Sequence, residues 1–329
     1  MKTIKIKFLF KEHLINWYQE YFTQIMGGYF NFEISDNPDF VFFNNHEQEF
    51  INYDCIRISF AQENFRPDFN VADYSIGFDH INFLDRYIRY PLFLLYKETF
   101  ELSSKKHLNI NSEILVKKIN FCNFIVSNGN ASETRTKFFK ALSEKQFIHS
   151  GGGYMNNIGG RVEDKLSFQS SCKFSICFEN SKSPGYLTEK LFHAVAAQTI
   201  PIYWGDPTIF LPIHEGGYGI NPKSCIYVND EEDFYRAIDL VMQIDSNDDL
   251  FYKYLSEPLF FDLNYREVFD NNLKSFLLNI FEQDLVKVAR RSKGQVEKKN
   301  EYSIKKIKQL ESTSELVNEL KTRLFKKII

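Results

Sequence analysis

The residues best suited to chemistry lie between positions 174 and 207, in the segment FSICFENSKSPGYLTEKLFHAVAAQTIPIYWGDP. Thr188 is a good N-cap, so Glu189 and Lys190 are expected in the first turn of a helix. A helix start that follows a strand presents free backbone N–H groups and the positive end of the helix dipole. Lys190 adds a full positive charge, and the segment therefore favours a phosphate ligand.

A second cation, Arg135, occupies the same kind of position one unit earlier, after the strand FIVS and the loop NGNAS. Cations at neighbouring helix starts are expected to meet at the carboxyl edge of a parallel sheet. A diphosphate suits two convergent cations better than a neutral ligand does. Polar and aromatic groups surround this edge, with Glu179 and Asn180 directly after a strand and Pro-Gly-Tyr at residues 184–186.

Each of these charges also has a purely structural explanation. Arg135 and Glu189 are compatible with surface positions on helices, Lys190 with a solvated side chain, and Glu189 with helix-dipole stabilisation alone. Glycines at Gly151–Gly153 and Gly159–Gly160 indicate close backbone approach, but neither GxxxxGK[ST] nor a GxGxxG after a strand is present. The prediction of a site therefore rests on the combination of residues.

The cysteines give no sign of a disulfide framework or a metal site. They are odd in number, scattered, and mostly set in apolar runs: Cys55, Cys122, Cys172, Cys177 and Cys225. This pattern predicts reduced, buried thiols in a cytosolic protein. Only Cys172 and Cys177 are close in sequence, and no His or Cys pair nearby completes a zinc set, so no metal is expected.

Alternating strands and helices must position the candidate residues. In the second half, apolar strands alternate with helical segments: strands Phe121–Ser127, Phe174–Phe178, Thr199–Trp204 and Cys225–Val228, and helices Glu133–Leu142, Thr188–Ala197 and Glu232–Ile244. The first third also alternates, beginning with strand Thr3–Phe10 and helix Glu12–Met26, and the polar stretch Ser103–Asn111 predicts a linker. The expected fold is α/β, with two Rossmann-like lobes facing a cleft and a basic C-terminal helical tail. The predicted ranges are 1–112, 113–282 and 283–329.

The formal net charge of −3 hides an uneven distribution. Residues 290–329 hold 12 Lys or Arg against 5 Asp or Glu, a charge of +7, so residues 1–289 carry −10. A broken apolar stripe runs through this tail: Ile304, Ile307, Leu310, Val317, Leu320 and Leu324. Three interpretations are open: a solvated helix packing lightly on the body, an amphipathic helix on an anionic membrane, or a weak coiled-coil seam.

Composition excludes several classes of protein. Hydrophobic residues make up 43% and charged residues 25%, which excludes a disordered or collagen-like chain. No apolar run approaches the roughly 20 residues of a membrane span, and the first residues lack a secretory signal pattern. The expected location is cytoplasmic, with the basic tail peripheral on the inner face of the cytoplasmic membrane.

The central segment also carries a family resemblance. FENSKSPGYLTEKLFHAVAAQTIPIYWGDP resembles the signature of the α-1,3/4-fucosyltransferases: Phe-Glu-Asn-Ser/Thr, Gly-Tyr-Val/Leu-Thr-Glu-Lys and Pro-Ile/Val-Tyr-Trp-Gly. The similarity extends through FCNFIVSNGNASETRTKFFKAL, HSGGGYMNN and DYSIGFDHINFLDRYIRYPL, over about residues 55–230. The tail differs, because some bacterial relatives carry repeated heptads before a basic amphipathic end and only a short basic segment is present here.

This resemblance implies a glycosyltransferase fold of the B type (GT-B), with GDP-fucose bound mainly by the second lobe and the acceptor sugar by the first. Matching positions imply that Arg135 and Lys190 hold the diphosphate and that Asn180 and Tyr186 line the donor site. Glu189 resembles the family glutamate that contacts donor hydroxyls or steadies charge near the fucose ring.

The catalytic base implied by the resemblance is Glu63, in the segment SFAQENFRPDFN. This segment matches less well than the others, because Phe65 and Arg66 stand where relatives have Glu-Ser. His80, which follows Asp79 at a predicted strand end, is the nearest alternative base.

The implied activity is inverting transfer of L-fucose from GDP-β-L-fucose to the 3-OH of GlcNAc in N-acetyllactosamine-type glycans, giving a Lewis x type product. No cofactor, metal or nucleic acid is expected, since Arg135, Lys190 and the helix dipole can stabilise the departing GDP. Two alternatives are a non-catalytic glycan or sugar-nucleotide binding protein on the same fold, and a related transferase with another donor. The retained set Glu63, Arg135, Glu189 and Lys190 favours an enzyme over a binding protein.

Overall fold

The protein is described here from a computed structural model, which covers residues 1–44, 49–105, 108, 110–111, 113–261 and 265–325. It divides into two compact units. The first combines Met1–Gly77 and Ile81–Arg89 with the chain from Phe269 onward. The second combines Phe78–His80 with Tyr90–Val268. Each unit is built on one parallel sheet.

The first unit contains a six-stranded sheet in the order β2-β1-β3-β4-β5-β6, with all pairs parallel. Its strands are β1 (Lys2–Leu9), β2 (Phe30–Ile34), β3 (Phe40–Phe43), β4 (Ile56–Phe60), β5 (Tyr74–Gly77) and β6 (Tyr87–Arg89). Strands β3, β4 and β5 are buried along their whole length, as expected for the centre of a parallel sheet. Helix α1 (Glu12–Ile25) packs on this sheet, and the ring of Phe22 lies 4.8 Å from that of Phe42.

The second unit contains a five-stranded parallel sheet in the order β11-β10-β9-β7-β8. Its strands are β7 (Asn120–Phe124), β8 (Ile148–Ser150), β9 (Cys172–Phe178), β10 (Ile200–Trp204) and β11 (Ile226–Tyr227). Its described helices are α2 (Lys97–Ser104), α3 (Ile114–Lys117), α4 (Glu133–Ser143), α5 (Lys165–Ser170), α6 (Glu189–Ala196), α7 (Phe234–Asp245) and α8 (Asp248–Ser256). Strands β7, β9 and β10 are therefore neighbours, and their carboxyl ends share one edge of the sheet.

The compact units are not linear stretches of the chain, unlike the ranges 1–112, 113–282 and 283–329 predicted from the sequence. The chain returns to the first unit at Phe269, inside the range predicted for the second lobe. The predicted linker Ser103–Asn111 begins within α2, and its residues 106, 107 and 109 lie outside the described residues. Helices α5 and α8 were not predicted by the apolar periodicity.

The chain after Phe269 is anchored in the first unit by a buried carboxylate, Asp73, which is 1% exposed. Its Oδ1 accepts the backbone N–H groups of Arg290 and Arg291, at 2.9 and 2.7 Å. Its Oδ2 accepts the N–H of Arg57 and the Nη1 of Arg291, at 2.9 and 3.0 Å. Arg290 and Arg291 follow helices α9 (Tyr265–Phe281) and α10 (Leu285–Val288). The start of the basic tail is therefore part of the first unit's structure.

Helix α11 (Gln295–Phe325) continues from that anchor. Glu301 pairs with the buried Arg57 at 2.5 Å, and Ile304 packs against an apolar cluster of the first unit. Ile307 and Leu310, by contrast, are 51% and 69% exposed. The side chains of Val317, Leu320 and Leu324 lie outside the described part of the structure. In the described part of the predicted apolar stripe, Ile304 is therefore packed, whereas Ile307 and Leu310 are exposed.

Among the residues that the structure describes, no helix combines the length and the apolar character that crossing a membrane requires.

The Asp73 anchor predicts a sharp boundary for C-terminal truncation. A chain ending at residue 289 removes Arg291 and both N–H donors from a buried carboxylate, which should lower the free energy of unfolding of the first unit by about 3–5 kcal/mol. A chain ending at residue 310 keeps the anchor and Glu301 and should differ little from the full chain. Urea unfolding can be followed by the fluorescence of Trp17 in a Trp204→Phe background, because Trp17 is then the sole tryptophan. Equal unfolding midpoints for the two truncated chains would contradict the anchoring role of Asp73.

Candidate functional site

The predicted donor residues of the second unit meet at the carboxyl edge formed by β7, β9 and β10. Asn180 is the second residue after β9, and Arg135 lies in the first turn of α4, the helix that follows β7. The Nη1 of Arg135 donates a hydrogen bond to Oδ1 of Asn180 at 3.0 Å. Ser132 caps α4 by accepting the N–H of Thr134 at 3.3 Å, and its own N–H donates to the carbonyl of Asn180 at 3.0 Å. These bonds therefore join the connection between β7 and α4 to the chain after β9 at this edge of the sheet.

Arg135 is a buried cation that the protein itself holds in place. Its residue exposure is 1%, and its Nη2 donates to the carbonyl of Asn128. Within the described residues, its Nε–H has no hydrogen-bond acceptor. Burial lowers the pKa of the guanidinium, and the negative charge of Glu179 opposes that shift. Because arginine stays protonated in proteins, this residue places a fixed positive charge at the sheet edge.

Glu179, the first residue after β9, organises the start of helix α6. Its side chain is fully buried. Its Oε1 accepts the backbone N–H of Thr188 at 2.8 Å, and its Oε2 accepts the Thr188 hydroxyl at 2.7 Å and the Lys190 ammonium at 2.9 Å. Burial raises the pKa of this carboxyl, while Lys190 and the Thr188 bond act in the opposite direction. The sequence prediction placed Glu179 near the site but assigned it no role.

The predicted N-cap at Thr188 is confirmed in its position but not in its hydrogen bonding. Thr188 occupies the N-cap position with an extended backbone, but its side chain makes no capping bond to the helix. Its hydroxyl donates to Glu179 instead, because a buried carboxylate without donors would be strongly destabilising. Gly205, which follows β10, is required here, since an added Cβ would lie 2.5 Å from the Cγ of Glu179.

Lys190 and Glu189 stand in the first turn of α6, as predicted. The Lys190 side chain is 21% exposed, and its ammonium contacts Glu179 and, at 2.9 Å, the Thr188 hydroxyl. Its Nζ also lies 4.0 Å from Oε1 of Glu189. Burial alone would raise the pKa of Glu189, but the positive charges of Lys190 and Lys165, with a smaller contribution from His193, outweigh it and lower the pKa to about 2. Glu189 is thus ionised at any physiological pH.

Tyr186 completes the set of residues predicted to line the donor site. It is 1% exposed, and its ring lies 5.2 Å from that of Phe78, which belongs to the same unit. Its N–H donates to the carbonyl of Ser183 at 3.1 Å, which closes the turn before α6. The ring is therefore fixed by packing.

Two further ionisable residues, neither of them predicted as part of the site, contact each other at helix α6. Lys165, the first residue of α5, places its Nζ 2.7 Å from Nδ1 of His193. His193 lies one helical turn after Glu189 on α6, and the ring of Tyr96 meets it edge-on at 5.6 Å. Burial lowers the pKa of Lys165, and burial together with Lys165 lowers the pKa of His193 to about 4. The only signal for His193 in the sequence was its spacing from Glu189.

The two candidate bases belong to different units. Glu63 lies in the first unit, half-buried in the loop after β4, where its carbonyl accepts the N–H of Phe65 at 2.8 Å. The preceding Gln62 accepts a bond from Asn44 at 3.0 Å, which ties this loop to the chain after β3. His80 is exposed and lies beside Gly216 in the second unit. The assignment of Glu63 as base stays a prediction.

The first glycine run serves the protein's own packing. An added Cβ at Gly152 would lie 2.0 Å from the carbonyl oxygen of Val126, so the loop after β8 can approach the chain after β7 only with glycine there. At Gly160 an added Cβ would meet nothing within 4 Å. Among the described residues, no group of three or more His, Cys, Asp or Glu could hold a metal ion.

Two α/β units, each built on a parallel sheet, are the architecture expected for the GT-B fold. Family comparison agrees. Residues 6–96 match the alpha-(1,3)-fucosyltransferase FucT N-terminal domain, and residues 115–272 match the glycosyltransferase family 10 (fucosyltransferase) C-terminal region. The chain belongs to glycosyltransferase family 10, the fucosyltransferases.

Individual relatives support the same assignment. The alpha-(1,3)-fucosyltransferase FucT of Helicobacter pylori is 33% identical over 264 residues, which span 70% of this chain and 54% of that protein. The human 4-galactosyl-N-acetylglucosaminide 3-alpha-L-fucosyltransferase 9 is 31% identical over 156 residues, 46% of this chain and 39% of that protein. The chain thus spans about half the length, or less, of these relatives.

A crystal structure of an alpha1,3-fucosyltransferase with GDP-fucose matches 86% of this chain and 92% of its own, with a TM-score of 0.70 and 27% identity. A structure described as alpha1,3-fucosyltransferase matches with a TM-score of 0.72 and 26% identity. The predicted fold class, two Rossmann-like lobes of the GT-B type, is confirmed.

The role of Glu179 predicts a large effect of its removal on stability. Glu179→Ala leaves the Thr188 N–H and the Lys190 ammonium without their acceptor, which should lower the free energy of unfolding by about 1–3 kcal/mol. The matched control is Glu231→Ala, because Glu231 pairs with Lys137 at 2.8 Å with both side chains about half exposed. That change should cost less than about 1 kcal/mol. Chemical denaturation of both variants measures the difference, and equal losses would contradict the organising role of Glu179.

Proposed function

We propose that this protein transfers L-fucose from GDP-fucose to the 3-OH of GlcNAc in an N-acetyllactosamine-type acceptor, with inversion, to give a Lewis x type product. The observation that carries the proposal is the pair of internally held cations, Arg135 and Lys190, at the sheet edge of the second unit. The structural similarity to an alpha1,3-fucosyltransferase with GDP-fucose, which covers 86% of this chain, supports the choice of donor.

In this mechanism the second unit binds the donor. Arg135 and Lys190 contact the diphosphate, and Asn180 and Tyr186 line the nucleotide-sugar site. The N-terminal end of α6 adds the positive end of its dipole. As the bond between the fucose anomeric carbon and the β-phosphate oxygen breaks, the electron pair goes to the diphosphate. The fixed positive charges stabilise that leaving group, so the scheme requires no cofactor or metal.

Two carboxylates have separate roles in the proposal. Glu63 takes the proton of the acceptor hydroxyl while its oxygen attacks the anomeric carbon from the face opposite GDP. Glu189, ionised because its pKa is about 2, accepts hydrogen bonds from donor hydroxyls and stabilises positive charge on the fucose ring. A base of this kind contributes about 10²–10⁴-fold to the rate.

The direct test is incubation of the purified protein with GDP-fucose and N-acetyllactosamine. Product and GDP should form together in equal amounts. GDP binding without turnover on any of several GlcNAc-containing acceptors would indicate the alternative, a non-catalytic binding protein. Turnover with another nucleotide sugar alone would indicate a different donor.

The division of roles predicts opposite signatures for two variants. Glu63→Gln should lower kcat by about 10²–10⁴-fold while GDP affinity stays near that of the unchanged protein, because it removes only the base. Lys190→Ala should weaken GDP binding itself by about 10–100-fold, as expected for the loss of a charge-assisted contact. Lys182→Ala is the matched control, because Lys182 is an exposed lysine that bonds to Asn229 at 2.8 Å. Retained turnover in Glu63→Gln would move the base elsewhere, with His80 the first residue to examine.

We also propose that the basic tail holds the enzyme against the anionic inner leaflet of the cytoplasmic membrane, where lipid-linked glycans are built. The support is the arrangement of the described part of α11. Lys298, Lys299, Lys305 and Lys306 are exposed, and Ile307 and Leu310 on the same helix are exposed as well. Cationic and apolar groups together are what binding to an anionic lipid surface requires.

The membrane proposal can be tested by removing positive charge from α11 while the Asp73 anchor stays in place. Replacement of these four lysines by glutamine should strongly reduce sedimentation with vesicles containing phosphatidylserine, and activity on a soluble acceptor should stay unchanged. Raising the salt concentration should release the unchanged protein as well, because the attraction is screened. If the quadruple variant and the parent chain sediment equally, the membrane proposal is wrong and the tail has a purely structural role.

A further inference from the structure

Lys190 is held by a carboxylate that a ligand cannot reach. Its Nζ lies 2.9 Å from Oε2 of Glu179 and 2.9 Å from the hydroxyl oxygen of Thr188, whereas Oε1 of Glu189 is farther away, at 4.0 Å. The Lys190 side chain is 21% exposed, and that of Glu179 has no exposure at all. A ligand that arrives from solvent therefore meets the lysine first, with the carboxylate behind it inside the protein.

The protein's own backbone fixes the position of Glu179. Its N–H donates to the carbonyl of Trp204 at 2.9 Å, which continues the hydrogen bonding between β9 and β10. Gly205 packs against the side chain, since an added Cβ there would lie 2.5 Å from Cγ of Glu179. The Oε1 atom accepts the backbone N–H of Thr188 at 2.8 Å. These contacts keep the carboxylate in place when an anion approaches Lys190.

The contacts of Glu179 are those of an ionised carboxylate. Its partners are a backbone N–H, a hydroxyl and an ammonium group, all of which donate. Burial raises the pKa of this carboxyl group, and the donors, Lys190 among them, oppose that shift by favouring the charged form. A negative charge thus lies one hydrogen bond behind the ammonium that is proposed to contact the diphosphate. Because like charges repel strongly at such a separation inside a protein, Glu179 must weaken the attraction of the site for an anion.

We propose that Glu179 is a positioning residue with a second effect on the donor site: it holds the Lys190 ammonium in place for the diphosphate, and as a fixed counter-charge it limits the affinity of the site for GDP. This role rests on the proposed contact of Lys190 with the diphosphate. A transferase must release GDP after each turnover, and a cationic site without a counter-charge would retain this product. Glu179 acts through Lys190 and is too deeply buried to touch the donor itself.

The test measures affinity against ligand charge, by calorimetry, for the unchanged protein and for Glu179→Gln. Glutamine keeps an acceptor for the Thr188 N–H and removes the negative charge. GDP and inorganic pyrophosphate should bind about tenfold more tightly to the variant, GMP about threefold more tightly, and guanosine within about twofold of its affinity for the unchanged protein. A merely structural glutamate predicts the opposite sign, because a disturbed start of α6 would weaken the binding of every ligand that carries phosphate.

Asp245→Asn is the matched control. Asp245 pairs with Lys173 at 2.8 Å in the same unit, and both side chains are partly buried. Lys173 is the second residue of β9, whereas Glu179 follows the end of that strand, so the two pairs lie about 20 Å apart along it. This separation exceeds the distance over which salt screens exposed charges. The control should therefore leave all four affinities within about twofold of those of the unchanged protein.

Turnover provides a second readout. In Glu179→Gln, added GDP should inhibit transfer at about tenfold lower concentration than in the unchanged enzyme, because GDP dissociates more slowly from a site without the counter-charge. A stopped-flow measurement of GDP dissociation checks that cause directly. Weaker inhibition by GDP in the variant would overturn the proposal.

The four affinities separate this proposal from the proposed function. Unchanged or weaker binding of GDP and pyrophosphate to Glu179→Gln overturns it, and so does an equal gain for guanosine, since a neutral ligand does not respond to the charge. If the unchanged protein binds GDP but shows no turnover, the proposed function fails and the affinities still decide the role of Glu179. If pyrophosphate binds and GDP does not, the donor is wrong, and pyrophosphate alone decides the role. If neither binds, both proposals fail.

A Glu179→Gln protein that does not fold is replaced by the double variant Glu179→Gln/Lys190→Ala, which leaves neither charge of the pair without its partner. This double variant should bind GDP more tightly than Lys190→Ala alone, because Lys190→Ala retains the carboxylate and its repulsion of the diphosphate. Equal or weaker binding by the double variant would overturn the counter-charge role.

Discussion

The proposed donor site depends on one buried carboxylate. Glu179, the first residue after β9, has no exposure to water, so it must find its donors inside the protein. It finds them nine residues later, in the N–H and hydroxyl of Thr188, and in the ammonium of Lys190. These bonds join the two ends of the loop between β9 and α6. They fix where α6 begins, and therefore where Glu189 and Lys190 stand.

The same bonds prepare the cations for an anionic ligand. Arg135 is held by Asn180 and Asn128, and Lys190 by Glu179 and Thr188, so both side chains lose most of their rotamer freedom on folding. The entropy of ordering them is then not lost again on binding. Charges that need no rearrangement also stabilise a leaving group most effectively. An acidic body can thus hold two fixed cations at one sheet edge, because the local arrangement and not the net charge sets the position of these charges.

Much of the fold was accessible from the sequence, because buried parallel strands appear as apolar runs. Strand β10 was predicted at Thr199–Trp204 and is observed at Ile200–Trp204, and the observed α1 ends within one residue of its prediction. Helix α5 was missed because its six residues, KLSFQS, are too few and too polar to show a periodicity.

The errors at the site have a common physical cause. Thr188 has the residue type of an N-cap, but residue preference cannot register a buried carboxylate nine positions earlier that competes for its hydroxyl. Lys165 was invisible for the same reason, since its partner His193 is 28 residues away in sequence. Gly152 looked like a ligand-approach glycine, yet the backbone it approaches is that of Val126. Sequence patterns reveal local geometry, whereas these roles depend on contacts between distant segments.

In the basic tail, the net charge counted from the sequence overstates the positive charge that is free to attract a membrane. Its +7 suggests a uniformly basic segment, but Arg290 and Arg291 bond to Asp85 and Asp73 within the first unit. Those charges are neutralised and contribute little attraction to a membrane. The exposed lysines of α11 remain, each adding roughly 1 kcal/mol near an anionic surface. Because Ile304 faces the protein core, the apolar contribution must come from Ile307 and Leu310 among the described residues. The proposed membrane attachment would be mainly electrostatic, with a smaller hydrophobic contribution, and therefore reversible by salt.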